Sequence, residues 1–245
     1  MQEESASQSI SLEEQNVVFK PNKGPQTKFL ASSEREVLYG GAAGGGKSYA
    51  MLADPLRYMG HPERKMQWVA PNGARLWFSY LDRDEDVLRY QGLAFSWVGF
   101  DELTQWATPF AWDYMRSRLR STAKDLPIYA RATTNPGGPG HAWVKKMFID
   151  PAPAGDSFWA TNIETSEPLT YPKGHSKEGE PLFKRRFIPA SLQDNPFLAE
   201  QGDYETMLLS LPENQRRQLL EGNWDVAEGA AFPEFNREIH VIDQF

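Results

Sequence analysis

Three short apolar segments, each running into a polar or glycine-rich turn, predict an α/β protein: a mainly parallel sheet flanked by helices, with a small group of helices toward the carboxyl end. The first is 36–39, followed by a glycine loop; the second is 94–100, ending in Asp101 and Glu102; the third is 128–133, ending in Thr134, Asn135 and a Pro/Gly turn. Short, nearly continuous apolar runs suit strands buried on both faces, and a parallel sheet gathers its polar loops at the carboxyl ends of its strands.

The first segment carries the most chemistry. From Gly41, four residues lead to Gly46-Lys47-Ser48, meeting the pattern G-x-x-x-x-G-K-[ST] in full, with five glycines in 40–46 where two are required. Glycines let successive backbone amides turn inward around a polyphosphate, and the helix expected over 48–58 adds its N-terminal partial positive charge. Gly60 and Pro62 stop that helix. In such a loop Lys47 reaches the β and γ phosphates and the Ser48 hydroxyl holds Mg²⁺. A glycine-rich turn that binds nothing is the alternative, and the strand and helix on either side argue against it. The expected ATP-binding set is Gly41, Ala42, Ala43, Gly44, Gly45, Gly46, Lys47 and Ser48, together with Gln26, whose amide can both donate to and accept from an adenine edge.

The second segment supplies the acids. Asp101, at the carboxyl end of its strand, is expected to bind Mg²⁺ through water, and Glu102 to polarise the water that attacks the γ phosphate. An ordinary strand followed by surface acids is the plainer reading of an isolated Asp-Glu pair, but here it follows a complete phosphate loop. In the third segment, Thr134 and Asn135 precede a flexible turn and are the candidates for sensing the γ phosphate and passing that state on as movement. A loop merely rich in turn formers is the alternative there.

The rest of the chain is read from its punctuation. Residues 1–20 read as a flexible tail, of which 1–15 are polar and acidic, without the basic start and apolar middle of a signal peptide. Segments 66–70 and 74–80, joined by Pro71-Asn72-Gly73, read as a hairpin. The acids of 82–86 lack the glycine and distal glutamate of a calcium loop and read as a solvated helix start. A helix is expected over 111–119, and two more, 197–211 and 213–221, follow Asp194-Asn195-Pro196 and end at Gly222. Residues 150–179 give no clear reading. With 245 residues, 40% hydrophobic, the chain can bury one core and a satellite. No apolar run approaches the ~18 residues of a membrane span. The absence of cysteine excludes disulfides and suits a cytoplasmic protein, and a net charge of −7 makes any nucleic-acid contact a local one.

Taken in order, Gly24-Pro25-Gln26-Thr27, the 40–48 loop, Asp82-Arg83-Asp84, Arg89-Tyr90-Gln91-Gly92, 99–106, 133–138, Asp194-Asn195-Pro196 and 217–224 resemble one family, the large terminase subunits of tailed double-stranded DNA phages. The resemblance spans nearly the whole chain. It implies a RecA-like ATPase core over 21–190, a helical lid or linker over 191–229, and in 230–245 the start of a connection to a nuclease domain. It also implies an ATP-driven motor moving double-stranded DNA in the host cytoplasm, acting as a homo-oligomeric ring at the capsid portal protein beside a small terminase subunit. Whether the chain alone is a monomer stays open. Arg89 occupies a position where the resemblance implies an arginine reaching the ATP site of an adjacent subunit; pairing with Asp84, Glu85 or Asp86 is the plainer reading. Because Phe245 falls where the family's nuclease begins, no DNA cleavage is expected. The interval from Lys47 to Asp101 is short for the family by about a strand and a helix, with the junction near 61–64, so either residues are omitted there or the segment is deleted. Two other classes stay open: a helicase or recombinase with the same core, and an assembly module that no longer turns over ATP.

Overall fold

The computed structural model describes residues 19–56, 67–70, 72–123 and 126–226. In chain order the elements are α1 (Pro25–Ala31), β1 (Glu36–Gly41), α2 (Lys47–Leu56), β2 (Gln67–Val69), β3 (Arg75–Trp77), β4 (Trp97–Phe100), α3 (Phe110–Arg116), β5 (Tyr129–Thr134), α4 (His141–Val144), β6 (Ser157–Trp159), β7 (Lys184–Ala190), α5 (Pro196–Ala199), α6 (Asp203–Leu209) and α7 (Glu213–Leu219). A 3₁₀ stretch, Asp84–Tyr90, precedes β4, and a π-helical turn, Lys145–Ile149, continues α4.

The main sheet has the order β4-β5-β1-β7-β6, parallel except for β6, which pairs antiparallel with β7. This is the predicted mainly parallel α/β architecture. Every residue of β1 and β5 is buried, as expected of strands covered on both faces. Alternation sorts their side chains. Val37 and Tyr39 pack with Phe29, Met51 and Ile188 beneath α1 and α2, whereas Leu38, Ala130 and Ala132 pack with Trp112, Met115 and Phe148 on the other face.

Sequence patterning does not announce β7, because Lys184-Arg185-Arg186 and Pro189 disguise it. The register explains the proline: the Ala190 carbonyl accepts from Ala42 N–H on the β1 side and the Phe187 carbonyl from Gly155 N–H on the other, so by alternation position 189 turns away from β1, beyond Ser157, the first residue of β6. Arg185 is buried because the Glu36 carboxylate pairs with it at 2.8 Å. The helix expected over 197–211 is broken at Gly202, where φ is 69°, into α5 and α6. The expected hairpin is present as β2–β3. Among the described residues no strand pairs with the outer edge of β4, and a cavity of about 720 Å³ runs along it, lined by Trp77, Tyr90, Phe95, Trp97 and Met115 among others. The junction near 61–64 lies outside the described residues.

Candidate functional site

β1 delivers the glycine loop to the N-terminus of α2, and the loop's shape depends on glycine where the backbone is left-handed. Gly41 has φ 126° and Gly44 φ 79°; a Cβ on Gly41 would lie 2.4 Å from the Ala190 carbonyl oxygen. Neighbouring elements hold the loop from outside. Ala42 N–H donates to the Ala190 carbonyl at 2.8 Å and Ala43 N–H to the Leu219 carbonyl at 2.6 Å. The Tyr39 hydroxyl donates to the Gly45 carbonyl at 3.0 Å, and the Asn195 amide to the Gly44 carbonyl at 2.8 Å. Gln26 joins this frame: its amide nitrogen donates to the Gly46 carbonyl at 3.0 Å while its oxygen accepts from Asn22 N–H at 2.6 Å. In this state the Gln26 amide is engaged with protein at both ends.

Lys47 is 7% exposed, and its ammonium donates to the Ala42 carbonyl at 2.6 Å and to Asn135 Oδ1 at 2.8 Å. Burial pushes its pKa down to about 8, with Glu102 and Asp101 opposing that shift. Ser48 Oγ donates to Asp101 Oδ1 at 3.1 Å, and the Thr133 hydroxyl donates to the same carboxylate oxygen. Glu102 sits in the left-handed region, with φ 53°, which is uncommon for a residue with a side chain and turns its carboxylate back toward the loop. Burial first and Asp101 second raise its pKa, against the pull of Lys47.

The structure therefore brings Lys47, Ser48, Asp101, Glu102 and Asn135 together at the carboxyl edge of β1, β4 and β5. Asn135 is central: its oxygen meets Lys47 and its amide nitrogen lies 3.5 Å from Glu102 Oε1. Thr134 turns elsewhere. Its hydroxyl lies 2.7 Å from that of Thr104 and accepts from Thr104 N–H at 3.1 Å, fixing the turn after Glu102 to the end of β5. Arg89 is apart from this cluster, 46% exposed, 3.4 Å from Asp86 Oδ2 and bonded through Nε to the Asp86 carbonyl at 2.9 Å. That is the surface pairing of the plainer expectation. Sequence reasoning missed Thr133, Thr104 and His141; only Thr133 carried a usable signal, as a hydroxyl two positions before the predicted sensor asparagine.

Solved structures of the large terminase from a thermophilic bacteriophage share this fold. That terminase in complex with ADP matches with a TM-score of 0.54 and 14% identity over 89% of this chain and 57% of that one. The same phage's large terminase in complex with ATP-gamma-S matches with a TM-score of 0.52 and 15% identity over 91% of this chain and 57% of that one. This chain thus spans a little over half the length of either. No curated protein matches it by sequence. The model of one family, described as terminase large subunit, T4likevirus-type, N-terminal, matches residues 60–239, a span that begins after the glycine loop, and the chain belongs to that family.

Proposed function

We propose that this chain binds Mg²⁺-ATP on the 41–48 loop and hydrolyses it as the ATPase domain of a DNA-packaging motor. The observation that carries the reading is the Asn135 bridge, which links the phosphate-loop lysine to the acid expected to position water. The partners of Lys47 are a carbonyl and an amide oxygen, both neutral, so phosphate oxygens can replace them with stronger bonds between opposite charges. Glu102, with its raised proton affinity, then orients and polarises the attacking water.

The oxygens of Ser48 and Asp101 fit Mg²⁺, which takes hard ligands. Among the described residues no group of three or more acids or histidines forms a metal cage, and phosphate oxygens and water would complete the coordination. When bound, the ion neutralises charge on the β and γ phosphates. Thr133 holds the Asp101 carboxylate in place for it.

Family membership extends the proposal to the motor: double-stranded DNA as the moved polymer, the capsid portal protein and small terminase subunit as partners, a homo-oligomeric ring as the working form, and the host cytoplasm as the setting. On this reading 21–190 is the ATPase core and 191–229 the lid. Phosphate release with and without double-stranded DNA and portal protein tests it. Turnover should rise with assembly, and Glu102→Gln should keep nucleotide binding and lose hydrolysis. Normal turnover by Glu102→Gln would remove the assignment.

A further inference from the structure

The loop that begins at Asn135 ends against the lid, and one buried imidazole makes the joint. His141 is 8% exposed. Its Nδ1 accepts from Gly137 N–H at 2.8 Å, so the ring proton sits on Nε2 and is donated to the Trp224 carbonyl at 3.0 Å. The ring also stacks on the Trp224 indole, with centroids 5.3 Å apart and planes at 29°. Around it, lid residues press on both functional loops. Gln218 donates to the Val226 carbonyl at 2.7 Å and packs over Gly137, the Leu219 carbonyl takes Ala43 N–H, and Gly222, with φ 66°, lies so close that a Cβ would be 2.6 Å from Ala42 N.

We infer that His141 is a positioning residue that joins the Asn135 loop to the 218–226 segment of the lid, so that a change at Lys47 and Glu102 reaches the lid through Gly137, His141 and Trp224. The inference rests on the proposed ATPase reading for what moves the loop, but the joint itself rests on geometry. Only a neutral ring fits. A proton added at Nδ1 would face the Gly137 N–H, donor against donor, and open the link. The charged groups around the ring are Lys145, Asp150 and Asp225; Lys145 pairs with the two acids at 2.5 and 3.3 Å. Burial, the largest influence, lowers the imidazole pKa and keeps the joint closed near neutrality, and acid opens it.

Amide hydrogen-exchange protection over residues 213–226 tests the joint, measured in the nucleotide-free chain between about pH 5 and 8 and again with ATP-gamma-S. In the unsubstituted chain, protection relative to intrinsic exchange should fall on acidification. His141→Gln, whose amide can accept from Gly137 and donate to Trp224 but does not titrate, should hold its protection across the range. His141→Leu should bind nucleotide with little change in KM, lose the nucleotide-dependent change in the lid, and lose about tenfold to a hundredfold in kcat, with His141→Gln restoring both. Equal acid sensitivity in His141→Gln and the unsubstituted chain, or an intact lid response in His141→Leu, overturns the joint. If the unsubstituted chain binds no nucleotide, the ATPase reading fails, and the nucleotide-free acid series still decides the role of His141.

Discussion

The two ends of strands β1 and β5 both bury charge, but they partner it differently. At the amino end, Glu36 pairs with Arg185 at 2.8 Å and with Arg116, and Arg131 donates to the Ser32 carbonyl at 2.9 Å and lies 3.7 Å from Asp54. Charge there meets opposite charge across β1, β5, β7, α2 and α3. At the carboxyl end, the ammonium of Lys47 is held by two neutral oxygens, and Asp101 by two hydroxyls. Full ion pairs fasten elements together, whereas neutral partners leave a charge that a ligand can take over. One end of the sheet is built to stay as it is, and the other to exchange partners.

Substitutions at the two ends should therefore fail in different ways. The largest expected effect is Lys47→Ala, which should remove nucleotide affinity and cut turnover by about 10³-fold or more, yet leave the unfolding midpoint unchanged or raised, because a desolvated charge is gone. Arg185→Ala should do the reverse: leave the buried Glu36 carboxylate to Arg116 alone of these two partners and cost up to about 3–5 kcal/mol, with nucleotide affinity preserved in whatever fraction stays folded. Denaturant unfolding and nucleotide titration on both variants compare them. Equal destabilisation by both would erase the distinction between the ends.

The carboxyl end is largely legible in the sequence, and the amino end is not. Glycine placement, Lys47-Ser48 and Asp101-Glu102 are local patterns of the kind that binding a phosphate and its metal would impose, so they can be read along the chain. The partner of Glu36 lies 149 residues away at Arg185, and no local period marks a strand that opens Lys-Arg-Arg. Thr134 and Asn135 read as a pair along the chain, but a strand sends neighbours to opposite faces, and only Asn135, just past the strand end, reaches Lys47. Gly202 is easily passed over within an expected helix because α5 and α6 carry enough apolar residues to read as one.

A smaller effect sharpens the contrast through pH. The unfolded chain keeps the Lys47 proton up to its ordinary pKa of 10.5, while the folded, nucleotide-free protein releases it at about 8. Unfolding takes up a proton between those values, so the protein gains stability from this group as pH rises through that window. Nucleotide affinity should move the other way. Phosphate favours the charged ammonium, so above about pH 8 binding requires proton uptake, and affinity should fall by up to about tenfold per unit. Arg185 also has a lowered pKa through burial, but a guanidinium stays charged across this range and contributes no such slope. Nucleotide titrations from about pH 7 to 9.5 with parallel unfolding curves would show the opposed trends; affinity flat across this range would mean Lys47 keeps its proton.

The smallest effect on the isolated chain belongs to Arg89, which stands at neither end. Its partners are Asp86 and main-chain carbonyls at the surface, where water competes and salt screens, so the contact holds it weakly and leaves it able to go elsewhere. Arg89→Ala should leave unchanged the unfolding midpoint and whatever turnover the unassembled chain shows. In an assembled ring the expectation differs: a guanidinium placed at a neighbour's γ phosphate stabilises the transferring group and can raise turnover by about 10³-fold or more. Rings mixed from Arg89→Ala and Lys47→Ala subunits separate the two cases, because some interfaces then join an intact loop to an intact arginine and partial activity should return. Full activity in rings made only of Arg89→Ala, or no recovery in confirmed mixed rings, would leave Arg89 as a surface ion pair and place the exchangeable charge of this protein at the carboxyl end of the sheet alone.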